Sequence, residues 1–379
     1  SDREYQVMLM IASGKPVGAI AKELCLSVKT ISSYRTNILL ETKQDGIELV
    51  ATDLEIGVRG HYKADVQQAG SVSLSARKLY ELLKEVAAGE ITITTQENNW
   101  VQIQAGRSQF KIVGIAAAEF PALPTIEREG RVAIPGSGLA SLIRKTLFAV
   151  GDNDARYILN GLLITLHSSD KKVTMKLVGT DGHRLAVAES DVTQSAGTDL
   201  PKEIKAIIPR KAAQEIRRLL EEEEGEPLLG FTKNLVTFQK SGLFLTSRVM
   251  EGTYPNYQQV IPKESAKKVA IERTALESAL RRVAVLSKDK TNAVKVILQN
   301  GSITLHTSSP DVGEATEDLP AQYRGESLTT GFNARYLLDA LAVMDGDTVN
   351  LEISSPLSPC VLKSDGDPGF LCVVMPMKI

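Results

Sequence analysis

LVGTDGHRLAVAE, residues 177–189, is the stretch on which the fold turns. It reads as a strand, a tight polar turn and a second strand. Val178 and the run Leu185, Ala186, Val187 and Ala188 supply apolar flanks. Thr180, Asp181 and Gly182 supply turn chemistry, with glycine free to take a positive φ. Weaker copies of its surroundings occur once before and once after it, so it marks the middle unit of a repeat.

Around it the spacing predicts a helix over 138–150, with Leu139, Leu142, Ile143 and Leu147 on one face, and a hairpin of 160–167 with 172–180. A strand at 206–208, a helix over 210–221 and strands at 228–231, 236–239 and 243–249 follow, closed by Tyr254-Pro255-Asn256-Tyr257. A third unit, starting near Val269, repeats the order: helix 272–286, hairpin 293–298 with 302–306, strand 327–332, helix 334–344, then strands 348–353, 359–363 and 370–375. In a first unit the apolar period becomes two from Leu39. Strands are expected at 39–41, 47–50, 54–62 and 71–74, then a helix over 76–86 capped by Ser75, a hairpin of 91–95 with 100–104, and a strand at 108–113. The period is roughly 130 residues, a whole-domain repeat rather than a solenoid. The expected fold class is α+β: three repeated domains at 39–129, 130–264 and 265–379, each with antiparallel sheets backed by two helices. Only the first lacks its opening strand and helix.

Residues 1–38 differ from everything after them. Ser1 and Glu4 fit a capping box, and Val7, Met8, Ile11 and Ala12 make a helical stripe ended by Gly14 and Pro16. Ile20, Ala21 and Leu24 make a second short helix, and Ser27 caps a third over 28–38. That is a helix-turn-helix pattern. REYQVMLMIASGKPVGAIAKELCLSVKTISSYRTNIL, residues 3–39, closely resembles the DNA-binding domain of LuxR-type response regulators. The resemblance implies that Lys29, Thr30, Ser33, Tyr34 and Arg35 sit on a groove-reading helix. The fourth helix of that family is absent, because the chain runs straight into a hairpin turn at 43–46.

Length and composition suit several globular domains: 379 residues, 43% hydrophobic and 24% charged. No apolar run reaches the length of a membrane span and no basic-then-apolar leader opens the sequence, so a cytoplasmic location is expected. Cys25, Cys360 and Cys372 are scattered, which suits free thiols in a reducing compartment. His61, His167, His183 and His306 are far apart, and no two stand at metal-ligand spacing, so neither metal nor other cofactor is expected.

A net charge of −2 argues against a generally basic nucleic-acid binder, but charge is segregated. Base collects on the predicted helices: Arg77 and Lys78; Arg144 and Lys145; Arg210 and Lys211; Arg281 and Arg282. Any one such helix reads as an ordinary solvated face. Recurrence in every unit suggests more, since cationic helices on repeated modules would hold DNA through its phosphates without reading sequence.

Ordered motifs then carry a family resemblance: ATDLEIGV at 51–58, EFPALP at 119–124, DARYILNGLL at 154–163, TDGHRLAV at 180–187, IIPRKA at 207–212, YPNYQQVIP at 254–262, GFNARYLLDAL at 331–341 and VVMPMKI at 373–379. Residues 39–379 resemble the bacterial DNA polymerase III β subunit, the sliding clamp. The resemblance implies a head-to-tail homodimeric ring on double-stranded DNA. It implies no enzymatic activity, and partners that include the DNA polymerase III catalytic subunit, the clamp loader and repair proteins. It implies a peptide-binding cleft of Leu159, Thr180, Gly182, His183, Arg184, Leu185, Pro255, Val260, Asn333, Tyr336, Val373, Val374, Met375, Pro376 and Met377. Plain strand packing is the alternative for Met-Pro-Met. DNA contacts would fall on Arg156, Tyr157 and the basic residues above. The ring seam would set Phe110 and Ile112 against Val285 and Leu286 of a second copy, with Glu314 and Glu317 nearby; alternation alone equally places Phe110 and Ile112 in a local core.

Two other classes compete. One is a helix-turn-helix transcription regulator with a clamp-like scaffold. The other is a hydrolase built around Asp181 and His183, which lacks a Ser or Cys nucleophile in any elbow or triad context.

Overall fold

The computed structural model describes residues 37–378, apart from 87–88, 122, 124–130, 134–135, 170–171, 193–200, 223–224, 263–266 and 288–291. The predicted helix-turn-helix at 1–38 therefore lies outside the described residues, except at its end. There Asn37 and Ile38 belong to a strand, not to the third helix. Their neighbours Leu39 and Leu40 alternate as strand residues do, and pairing with two other strands extends the ladder back to Asn37.

The chain forms two compact units, residues up to 131 with 223–248, and residues 132–222 with 249–379. In the first unit, β1 (Asn37–Lys43), β2 (Gly46–Thr52), β3 (Ile56–Lys63) and β4 (Ser71–Ser75) lead to helix α1 (Ala76–Glu85). Ser75 caps α1 by accepting a bond from the Lys78 amide at 3.5 Å. A three-stranded sheet follows, β5 (Ile91–Thr95), β6 (Trp100–Ala105) and β7 (Ser108–Val113), with β5 and β7 at its edges. Leu40, Val72, Leu74, Leu79, Val101 and Ile103 form the core, and half-buried Phe110 and Ile112 pack on it.

The middle module runs β8 (Arg131–Ala133), α2 (Gly136–Leu147), β9 (Gly161–Ser169), β10 (Lys172–Thr180), β11 (Arg184–Val192), β12 (Glu203–Pro209), α3 (Arg210–Glu222), β13 (Leu228–Phe231), β14 (Leu235–Lys240) and β15 (Leu243–Arg248). The last repeats it: β16 (Lys267–Glu272), α4 (Arg273–Ala284), β17 (Ala293–Gln299), β18 (Ser302–Ser309), β19 (Gly313–Pro320), β20 (Leu328–Asn333), α5 (Ala334–Val343), β21 (Thr348–Ile353), β22 (Cys360–Lys363) and β23 (Phe370–Val374).

The two eight-stranded sheets each combine strands of two modules. In the first unit β15 pairs with β3, so strands of the middle module extend the sheet of the first. In the second unit β23 pairs with β11 and gives the order β12-β9-β10-β11-β23-β22-β21-β16. The remaining sheet is β19-β18-β17-β20, with β19 at an edge. In the second unit α2 packs on α3 and α4 on α5. Among the described residues, α1 is the only α-helix of the first unit.

Most boundaries match their predictions, and the exceptions have physical causes. Glu272 is the cap of α4 rather than its first turn, accepting from the Thr274 and Ala275 amides. Strand β19 was hidden by its acids, because Glu314, Glu317 and Asp318 disguise the alternation with Ala315 and Leu319. Gly179 lets α2 approach β10: a Cβ there would meet the Thr146 carbonyl oxygen at 2.5 Å.

Candidate functional site

The turn between β10 and β11 is locked by its own side chains. Thr180 Oγ1 donates to the Arg184 carbonyl at 2.7 Å and accepts from the Gly182 amide at 3.1 Å. Asp181 Oδ1 accepts from the His183 and Arg184 amides at 2.9 and 3.0 Å, and its Oδ2 accepts from Arg184 Nε at 3.0 Å. Gly182 sits at φ 83°, where a Cβ would also press on the Arg156 guanidinium. With Asp181 committed to the turn, the alternative reading of a hydrolase built on Asp181 and His183 has no free carboxylate.

Two arginines frame this turn. Arg156 binds both carboxylate oxygens of Asp154, at 3.0 and 2.8 Å, and donates to the Asp181 carbonyl at 2.8 Å. Arg184 Nη1 reaches Asp339 Oδ2 at 2.5 Å, and its guanidinium lies 4.5 Å from the Tyr336 ring centre and 5.3 Å from that of Phe148. Asp339 and Tyr336 stand on α5, so the arginine ties the turn to the last module. The C-terminal strand closes the site, with the Met375 amide donating to the His183 carbonyl at 2.9 Å and that of Met377 to the Gly331 carbonyl at 2.8 Å.

Between these parts lies a slot of about 170 Å³. Buried Leu159, Leu185 and Val373 form its floor, and Pro255, Tyr257 and the exposed Val260 and Met375 its rim. Behind it Tyr254 donates to the Val178 carbonyl at 3.2 Å, and burial pushes its phenol up from the ordinary range.

Nine of the predicted cleft residues line this slot: Leu159, Thr180, Gly182, Arg184, Leu185, Pro255, Val260, Val373 and Met375. The others do not. Val374 is fully buried, because strand alternation turns it away from Val373. Asn333 caps α5, accepting from the Arg335 and Tyr336 amides at 2.9 and 3.4 Å. His183 stacks near Tyr336 at 6.4 Å between ring centres, and Met377 lines a separate cavity. Arg156, Asn256 and Tyr257 were missed as lining residues. The last two stand inside the YPNYQQVIP motif, where only proximity in space distinguishes them.

The predicted DNA-contact residues are largely occupied. Arg77 and Lys78 both bind Glu81, at 2.7 and 3.0 Å. Arg281 binds Glu277 at 2.6 Å, and Arg282 binds both oxygens of Glu317 at 2.6 and 2.9 Å. Arg144 faces Asp345 at 3.4 Å. Lys145 requires correction. It is 8% exposed and lies between Asp345 and Asp367, 2.7 Å from each, so the fold withdraws it from any phosphate-facing surface. Arg210 is also half buried and donates to the Val150 carbonyl. Lys211 and Tyr157 are exposed, and Lys29, Tyr34 and Arg35 lie outside the described residues.

Of the seam residues, Phe110 and Ile112 pack on the first unit's core, Val285 is exposed and Leu286 half buried beyond the end of α4, and Glu314 is exposed on β19. Glu317, also expected there, is held by Arg282. Among the described residues no group of His, Cys, Asp and Glu could hold a metal ion, and no helix is long and apolar enough to cross a membrane. Cys360 and Cys372 are buried free thiols, and burial pushes that of Cys372 up to about 12.

Hydrogen bonds from the Arg156 side chain and amide hold the Asp154 carboxyl down to about 2. A depressed carboxyl contributes above its unfolded value, near 3.9, and loses that contribution as pH falls through the folded value. Carbon-detected titration should find Asp154 with a midpoint near 2, and Arg156→Ala should return it to the ordinary range. An ordinary midpoint in the unaltered chain would break the assigned pair.

Repeated modules of strands and helices, sheets continued from module to module, and a small apolar slot beside the C-terminal segment define a clamp-type protein. Family models for the DNA polymerase III beta subunit match in order: N-terminal domain at 16–124, central domain at 133–256 and C-terminal domain at 258–378. The beta sliding clamp of Caulobacter vibrioides is 33% identical over 346 residues, covering 91% of this chain and 92% of its own. That of Pseudomonas putida is 31% identical over 367 residues, covering 95% and 98%. The crystal structure of the DNA polymerase III subunit beta from Pseudomonas aeruginosa matches with a TM-score of 0.84 at 31% identity, over 91% of this chain and 93% of that one. A DNA polymerase sliding clamp from Caulobacter crescentus matches with a TM-score of 0.84 at 32% identity, over 91% and 92%. The chain belongs to the DNA polymerase III beta subunit family.

Proposed function

We propose that this chain is a DNA sliding clamp. It encircles duplex DNA as a homodimer and tethers the DNA polymerase III catalytic subunit, the clamp loader and repair proteins through the slot at the β10–β11 turn. It is an accessory subunit in the cytoplasm and performs no bond-making chemistry of its own. The observation that carries this reading is the ordered match of all three family domains, joined to an apolar slot at the motif-bearing turn.

Internal repetition supports the dimer. β15 joins β3, and β23 joins β11, each time linking the last strand of one module to the third long strand of the preceding one. By the same rule β7 should join β19, and both are edge strands within the chain. Two copies joined head to tail would satisfy both edges.

The expectation of a sequence-reading helix-turn-helix stays a separate proposal for residues 1–38. The N-terminal family model reaches back to residue 16, which favours the clamp reading for part of that segment. Retention on DNA separates the two. A clamp loaded by its loader stays on nicked circular duplex and slides off when the circle is cut. A footprint at one defined sequence, equal on circular and linear DNA, would establish the regulator instead.

A further inference from the structure

The sheet β19-β18-β17-β20 carries a second cavity, of about 610 Å³, on its solvent side. One cross-strand row explains it. His306 faces Lys295, Lys295 faces Gly331, and Gly331 bridges to Met377. Gly331 contributes no side chain, so the row dips between Lys295 and Met377, and the 68% exposed Leu357 stands at the dip.

Charge in the cavity is one-sided. Lys295, Lys378 and His306 line it, and no acidic residue does. Glu314, opposite Ser308 on the edge strand, is not part of the lining. Neither lysine has a carboxylate within ion-pair distance among the described residues, whereas Lys145, Lys172, Lys176, Lys205 and Lys363 each have one. The cavity is separate from the slot but lies next along the same C-terminal segment: Met375 lines the slot, and Met377 and Lys378 line the cavity. Three residues of extended peptide, roughly 10 Å, follow the same path.

We propose that this cavity binds acidic side chains flanking the apolar motif of a partner peptide, through Lys295 and Lys378. The proposal rests on the slot reading and adds a charge preference to it. Ammonium groups on a solvent-facing surface act mainly through charge complementarity and lose effect in salt.

Fluorescence anisotropy on the full chain tests it, using amide-capped peptides of the polymerase tail that differ only in two flanking residues, Glu, Gln or Lys. The Glu-flanked peptide should bind about tenfold more tightly than the Gln-flanked one at low salt, and the gap should fade by about 0.5 M salt. Lys295→Glu should reverse the order of the Glu and Lys peptides and leave the Gln peptide within about twofold. Lys295→Gln, milder for folding, should only narrow the gap. Flank-independent binding, or an unchanged order in Lys295→Glu, overturns the proposal while leaving the slot intact. Failure of all three peptides overturns the slot reading and this proposal with it. Loss of DNA retention in Lys295→Glu with the peptide order unchanged reassigns the lysine to phosphate and equally overturns it.

Discussion

Removal of residues 375–379 should weaken binding of a polymerase-tail peptide by more than about a hundredfold, or about 2.7 kcal/mol, while the chain stays folded. Met375 is a wall of the slot, 37% exposed and so open to a ligand. Its unbranched, polarisable side chain adapts to apolar partners. The cut also deletes the bonds from the Met375 and Met377 amides to the His183 and Gly331 carbonyls, which hold the strand beside the turn. The fold should survive, because β23 ends at Val374 and its ladder with β11, Arg184 opposite Val374 through Ala188 opposite Phe370, is untouched. Anisotropy titration reads the affinity and thermal unfolding the fold. Unchanged affinity would refute the slot; lost affinity with a collapsed melting transition would leave Met375→Ala as the deciding variant.

Lys145→Ala should cost about 3–5 kcal/mol of stability, far above the effect of losing a surface charge. The ammonium lies 2.7 Å from Asp367, itself only 6% exposed, and 2.7 Å from Asp345. Without it Asp367 stays buried with no cation to balance it. Asp367 already accepts from the Asp345 amide at 3.2 Å, which cannot neutralise a full charge. The hydrogen bond from Lys145 is the main cause holding the Asp345 carboxyl below its usual range, so that contribution is present at neutral pH and lost as pH falls through the folded value. Urea denaturation at pH 7 measures the loss. A variant that keeps full stability but loses affinity for DNA in a salt-dependent way would return Lys145 to the phosphate-contact set.

The slot was more legible than the charges. Turn chemistry at Thr180, Asp181 and Gly182 is local, and Asp181 accepts from amides only two and three residues on. The floor residues Leu159, Leu185 and Val373 stand in recognisable motifs. Arg156 was given as a DNA contact through the family resemblance, and its place in the slot lining depends on where the fold puts it. Its carboxylate partner stands two positions away, but its contact with the Asp181 carbonyl crosses 25 residues.

Local chemistry in the sequence determined where strands and helices begin, what caps them, how the turn at 180–184 is held, and that one module recurs. Apolar period and capping residues act over a few positions, so they can be read along the chain. Only the tertiary structure decided that β15 joins β3 and β23 joins β11, which cations are occupied, and that Lys145 is buried. Those outcomes depend on partners as far away as the 222 residues between Lys145 and Asp367, and no spacing along the chain specifies such a meeting.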